Sequence, residues 1–148
     1  MSKKTALVTG AAAGIGRACA LRLANEGIRV GVLDLDLEGC EKVAAEIKDA
    51  GGEAIALQAS IADRPQVETA VEQLRNAFGP VTIVVNNAGI SNFIPFEDLT
   101  EADWDRMFEI NTKGTFIVTQ VVLPDMKAAN WGRIVNISSS SAQTGSVE

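Results

Sequence analysis

Short apolar runs alternating with longer amphipathic stretches predict a doubly wound α/β sheet of parallel strands for this chain. Two further observations point the same way. Most of the apolar runs are near-continuous rather than alternating, as strands covered on both faces require. A glycine-rich turn also follows the first run and opens directly into an amphipathic segment.

The strands are expected at Thr5–Thr9, Arg29–Asp34, Glu53–Gln58, Val81–Asn86 and Arg133–Ser138. Between the second and third, Leu37, Cys40, Val43, Ala44 and Ile47 share one helical face; between the third and fourth, Val67, Ala70, Val71, Leu74 and Phe78 do the same. Asp36 and Asp63 stand where N-caps belong, and Gly51 and Gly79 where those helices stop. Thr100-Glu101-Ala102-Asp103 has the form of a capping box and opens the longest helix, expected to reach Ala129, with Pro124 able to kink or shorten its end. The pattern is βαβαβαβαβ. With right-handed crossovers it gives the strand order 3-2-1-4-5 and a ligand crevice at the carboxyl ends of strands one and four. No repeat or linker interrupts it, so residues 1–148 form one domain.

Composition narrows the function classes. The formal net charge is −6 with no cluster of Lys and Arg, which excludes a nucleic-acid partner. No apolar stretch has the length of a membrane span, and Ala6-Leu7-Val8 after Lys3-Lys4 is too short for a secretory leader, so a cytoplasmic location is expected. Cys19 and Cys40 fall inside helical patterns and read as buried, reduced thiols. With no histidine and no paired cysteine motif, no metal site is expected.

The turn Thr9-Gly10-Ala11-Ala12-Ala13-Gly14-Ile15-Gly16 carries the first functional signal. Gly10 permits a tight turn, Gly14 allows backbone to approach a pyrophosphate, and Gly16 allows close packing of helix on strand; the helix N-terminus then offers unpaired N–H groups to the phosphates. A tight βα turn can carry glycine for conformation alone, but three at this spacing favour a dinucleotide. Asp34 closes the second strand, near the usual place of the acid that accepts hydrogen bonds from the adenosine ribose and repels a 2′-phosphate. It could instead cap the following helix, a task for which Asp36 is better placed.

The spacing T-G-x-x-x-G-x-G resembles the branch of the short-chain dehydrogenase/reductase family that carries it. Three other segments support the resemblance in the family's order: Asn86-Asn87-Ala88-Gly89, then Asn111 within Glu109-Ile110-Asn111-Thr112-Lys113-Gly114, then Ile134-Val135-Asn136-Ile137-Ser138-Ser139. The resemblance covers essentially the whole chain and implies a Rossmann-like fold that binds NAD. It implies cofactor contacts at Gly10, Ala12, Ala13, Gly14, Ile15 and Gly16, at Asp34 and Leu35, at Ser60 and Ile61, and at Asn87, Ala88 and Gly89. Leu35 and Ala13 occupy the places where an NADP enzyme commonly supplies a basic residue, so NAD is favoured. Ser60-Ile61 replaces the family's Asp-aliphatic pair, which leaves the adenine contact uncharged.

The same resemblance assigns Ser139 to the substrate oxygen and Asn111 to a water in a proton relay. Ser139 is one of four consecutive serines, Ser138 to Ser141, and its choice rests on the family alone; Asn111 could equally hydrogen-bond within the core. The family's acid/base tyrosine and its lysine fall beyond Glu148, and the chain contains neither tyrosine nor histidine. The chain is therefore expected to be the N-terminal portion of a longer enzyme, inactive alone and lacking the family's C-terminal strands. Ile134–Ile137 would then be an exposed edge inviting self-association. The implied activity is NAD-dependent hydride transfer with a small secondary alcohol or ketone in a homo-oligomer. The alternative is a non-catalytic NAD-binding or regulatory module. The segment from Ile90 to Phe96 is expected to border the substrate pocket.

Overall fold

Five parallel strands, β1 (Thr5–Thr9), β2 (Arg29–Asp34), β3 (Ala54–Gln58), β4 (Val81–Asn86) and β5 (Arg133–Asn136), form one sheet in the order β3-β2-β1-β4-β5. This is the Rossmann-like arrangement that the sequence predicts, seen here in a computed structural model that describes residues 3–139. The helices are α1 (Gly14–Asn25), α2 (Leu37–Asp49), α3 (Arg64–Phe78), α4 (Glu101–Phe108) and α5 (Thr115–Ala128). β1 and β4 are buried at every residue. Alternation along β1 sends Leu7 and Val8 to opposite faces. Leu7 joins Leu33, Leu57, Leu74, Val84 and Val118 beneath α3 and α5, whereas Val8 joins Val32, Val43, Ile47 and Val85 beneath α1 and α2.

The helix starts follow the local chemistry. Asp36 accepts from the Gly39 N–H, Asp63 accepts from the Gln66 N–H, and Thr100 with Asp103 forms the reciprocal capping box. Gly51 and Gly79 both take left-handed backbone at the helix ends, each with φ 84°. Two strand bounds differ from expectation: β3 begins at Ala54 rather than Glu53, and β5 ends at Asn136 rather than Ser138. At both places single hydrogen bonds continue past the strand, from Val30 N–H to the Glu53 carbonyl and from Ile137 N–H to the Asn86 carbonyl. β5 lies at the sheet edge, and among the described residues Ile134, Val135 and Ile137 stay exposed.

The largest departure is the long helix. Residues 101–128 are helical throughout, but a π-helical run, Glu109–Gly114, separates α4 from α5. Its cause is a contact from outside the helix. Asn111 Oδ1 accepts from the Ile90 N–H at 2.8 Å while its Nδ2 donates to the Ile90 carbonyl at 2.9 Å. A widened turn leaves carbonyls short of partners, and the Thr115 hydroxyl donates to that of Asn111 at 3.2 Å. Pro124 sits inside α5 without ending it. One turn back, the Val121 carbonyl accepts from Arg75 Nη2 at 2.9 Å.

The Arg75 side chain also ties three elements together. Asp125 Oδ2 in α5 accepts from Arg75 Nε in α3 at 2.9 Å and from the Val81 N–H at the start of β4 at 2.8 Å. Of the two cysteines, Cys40 is buried as expected, whereas Cys19 is only partly so. Burial, and then the charge of Asp34, push the Cys40 thiol up to about 12, which keeps it protonated and unreactive.

Candidate functional site

The carboxyl ends of the strands open into a cleft of about 340 Å³, lined by Gly10 from the glycine turn, Leu33, Asp34 and Leu35 at the end of β2, Ala59, Ser60 and Ile61 after β3, Asn87, Ala88, Gly89 and Ile90 after β4, and Ile110. The turn and the β4 end are sewn together. The buried Thr9 hydroxyl accepts from the N–H groups of Asn87 at 3.1 Å and Ala88 at 3.0 Å, and Asn87 Nδ2 donates to the carbonyls of Thr9 and Gly10, each at 3.0 Å. Gly10 has φ +64°, and a Cβ there would lie 2.8 Å from Ala88 Cα. At Gly16 a Cβ would fall 2.2 Å from the Gly10 carbonyl oxygen. Only glycine lets the chain close this tightly.

Gly14 differs from both. Its φ is +55° and nothing lies within 4 Å of where its Cβ would stand, so a side chain there would meet no neighbour and glycine answers to the backbone conformation alone. Ala13 enters α1 in extended conformation with no side-chain cap, and the first turn holds no acidic residue. By contrast, α2, α3 and α4 all carry side-chain caps. The leading N–H groups of α1 thus combine partial positive charge with freedom from any capping side chain.

Asp34 stands across the cleft from the β4 loop and is half-buried. Its Oδ1 accepts from the N–H groups of Leu35 at 2.7 Å and Asp36 at 3.3 Å, and its Oδ2 from the Ala12 N–H at 3.2 Å. Because a carboxylate offers about four lone-pair positions, these three donors leave capacity for a ligand hydroxyl. Asp36, not Asp34, caps α2.

Of the residues singled out in the sequence, Gly10, Asp34, Leu35, Ser60, Ile61, Asn87, Ala88 and Gly89 meet on the cleft wall. Ala12, Ala13, Gly14, Ile15 and Gly16 continue from it as the turn and the start of α1 and do not line it. Asn111 is exposed and does not line the cleft, its side-chain amide being bonded to the Ile90 backbone. Ser139 is exposed on the segment after β5, and Ser140 and Ser141 lie outside the described residues. Within the apolar segment after β4 only Ile90 reaches the cleft; Phe93 and Phe96 point to solvent, each 89% exposed. Sequence reasoning missed Leu33, Ala59 and Ile110 on the wall and the anchoring hydroxyl of Thr9. The wall residues are apolar and carry no chemical signature, whereas Thr9, at the head of the glycine motif, was open to detection.

A doubly wound sheet with a glycine turn, an acid closing β2 and a cleft at its carboxyl edge defines the Rossmann-like class. Residues 4–148 match the short chain dehydrogenase family, and the chain belongs to it. It is 40% identical over 139 residues to D-threitol dehydrogenase of Mycolicibacterium smegmatis, covering 94% of this chain and 54% of that protein. To acetoacetyl-CoA reductase of Cupriavidus necator it is 38% identical over 152 residues, covering 98% and 59%. A crystal structure of a 3-ketoacyl-ACP reductase from Sinorhizobium meliloti superposes with a TM-score of 0.88 at 45% identity, covering 91% of this chain and 53% of that one. The chain thus spans little more than half the length of the relatives it matches. Among the described residues no helix is long and apolar enough to cross a membrane, and no group of His, Cys, Asp or Glu could hold a metal ion.

Proposed function

We propose that the cleft binds NAD and that the chain carries the cofactor-binding half of an oxidoreductase acting on a secondary alcohol or ketone. The observation that carries this reading is the uncapped start of α1, where Ala13, Gly14 and Ile15 are exposed. That cradle fits a pyrophosphate, and the backbone from Ala13 to Gly16 would hold it by N–H donors and the helix dipole, the Ala12 N–H being engaged by Asp34. Asp34 would take the ribose hydroxyls, and its charge would disfavour a 2′-phosphate; Leu35 offers no cation to offset this. Ser60 and Ile61 would border the adenine, and Asn87, Ala88 and Gly89 would support the floor.

NAD, when bound, carries the hydride that the reaction exchanges with a carbonyl carbon. The protein's share is position and proton handling. In this reading Ser139 hydrogen-bonds the substrate oxygen. Asn111 contributes by fixing the Ile90 backbone and by leaving a π-turn carbonyl near a water relay. Neither group is an acid or base near neutral pH, and the chain has no tyrosine or histidine to supply one. The 148 residues alone are therefore a dinucleotide-binding unit without turnover. The relatives' names, one a polyol dehydrogenase and others ketoacyl reductases, support the alcohol/ketone class. A cytoplasmic location belongs to the same proposal, supported by two free cysteines. So does a homo-oligomer, supported by exposed Trp104, Phe108 and Phe116 along the α4–α5 run.

Fluorescence titration with NADH and NADPH tests the reading. NADH is expected to bind at least about tenfold more tightly, a difference of ~1.4 kcal/mol, and Asp34→Ala to erase most of that margin. The same preparation mixed with NADH and a ketone is expected to oxidise none. Equal affinity for the two dinucleotides, or steady turnover by these 148 residues, would contradict it.

A further inference from the structure

We propose that Gly39 and Ala12 act together as a spacer that fixes the Asp34 carboxylate, and so sets how strongly the site prefers a ribose without a 2′-phosphate; this rests on the cofactor reading above. Gly39 is the third residue of α2, a place where glycine is a poor helix former. Its φ is not left-handed, so backbone conformation does not demand it. What demands it is space. A methyl group there would stand 2.8 Å from Ala12 Cβ and 2.6 Å from Asp36 Oδ2. The Asp36 oxygen ends a side chain that can turn aside only by loosening the cap it gives the Gly39 N–H. Ala12 Cβ cannot, because it is fixed to the glycine turn itself, where the Ala11 N–H donates to the Leu33 carbonyl at 3.1 Å.

The consequence reaches Asp34 because its carboxylate bridges the same two parts. Oδ1 is held from the α2 side by the N–H groups of Leu35 and Asp36, and Oδ2 from the turn side by the Ala12 N–H at 3.2 Å. Anything that pushes α2 and the turn apart must lengthen one set of these bonds. The Ala12 bond is longer than the one to Leu35 and is the one expected to yield. A carboxylate released from the turn keeps its Oδ1 bonds to Leu35 and Asp36 but loses the anchor that fixes Oδ2, and both its grip on ribose hydroxyls and its repulsion of a phosphate weaken. Gly39 and Ala12 are thus positioning residues acting through Asp34.

The test uses the full chain and titrates NADH and NADPH separately by fluorescence, with thermal melts recorded alongside. Gly39→Ala is expected to weaken NADH about tenfold while changing NADPH less than about twofold, so that the preference shrinks. Gly39→Ala combined with Ala12→Gly should restore NADH affinity, because removing one methyl makes room for the other. Should Gly39→Ala fail to fold, Ala12→Val with Gly39 retained probes the same contact from the opposite side and should show the same selective loss. Unchanged NADH affinity in a folded Gly39→Ala chain, or no rescue in the double variant, overturns the spacer alone. A parent chain that binds neither dinucleotide overturns the cofactor reading and the spacer with it.

Discussion

Gly16→Ala is expected to abolish dinucleotide binding at concentrations about a hundredfold above those that saturate the parent chain. The added methyl would meet the Gly10 carbonyl oxygen at 2.2 Å, the Gly10 carbonyl carbon at 2.8 Å and Asn87 Nδ2 at 2.6 Å. Two of these atoms are backbone, and the third belongs to an amide already committed to the Thr9 and Gly10 carbonyls. None can move without undoing the stitch between the turn and the end of β4, so α1 must retreat from the sheet. That retreat carries the leading N–H groups of α1 away from where a pyrophosphate would sit. Overpacking of this kind costs about 1–3 kcal/mol, and the better helix propensity of alanine returns at most ~1 kcal/mol. For a domain of this size a net of up to ~2 kcal/mol corresponds to a fall in Tm of at most about 8 °C. Calorimetric titration with NADH, together with a circular dichroism melt, checks both parts. Binding at parental strength would show that the turn does not grip the cofactor.

Asp125→Ala is expected to be the more destabilising change, lowering Tm by roughly 10 °C while leaving the far-UV spectrum of the folded state unaltered. One carboxylate oxygen serves both the Arg75 Nε and the N–H of Val81, a residue with no exposed surface. Its removal orphans a buried backbone donor, which costs about 1–3 kcal/mol, and strips the nearer carboxylate from an Arg75 side chain only 27% exposed. Loss of a fully buried pair would cost about 3–5 kcal/mol. Here Arg75 keeps some access to water and a second, longer contact with Glu72 at 3.5 Å, so a total of about 2–4 kcal/mol follows. Asp125→Asn, which retains one oxygen acceptor, should lose less. A melt of Asp125→Ala within a degree of the parent would mean that the clip contributes nothing to stability.

What could be read from the sequence divides according to the range of the interaction responsible. The bounds of β1, β2 and β4, the caps at Asp36, Asp63 and Thr100, and the two glycine stops are set by residues a few positions apart, and local pattern reports them faithfully. The strand order is one of the two common orders that right-handed connections allow, and the glycine turn after the first strand goes with the one observed. The split of the long helix was not legible, because its cause is an amide in one segment grasping the backbone of Ile90, twenty-one positions earlier. The same holds for the cleft. Its glycines and its acid announce themselves, but the pairing of Thr9 with Asn87, and of Ala12 with Asp34, exists only once the sheet brings distant turns together. Phe93 and Phe96, in the apolar run expected to border a substrate pocket, are exposed among the described residues.

The π-helical run makes chain length, and not composition alone, a structural constraint in this stretch. Each residue of an α-helix advances the azimuth by ~100°, and the wider π turn absorbs one extra residue. Tightening the run to regular α-helix with all its residues kept would therefore rotate α4 about its axis by about that angle, whereas deleting one position between 109 and 114 would leave its direction nearly unchanged. In the first case the stacked rings of Trp104 and Phe108, 4.6 Å apart, would head in another direction while Ile117, Val118 and Val122 kept their seat on the sheet. The widened turn thus holds in place a surface that a regular helix of the same length would turn away.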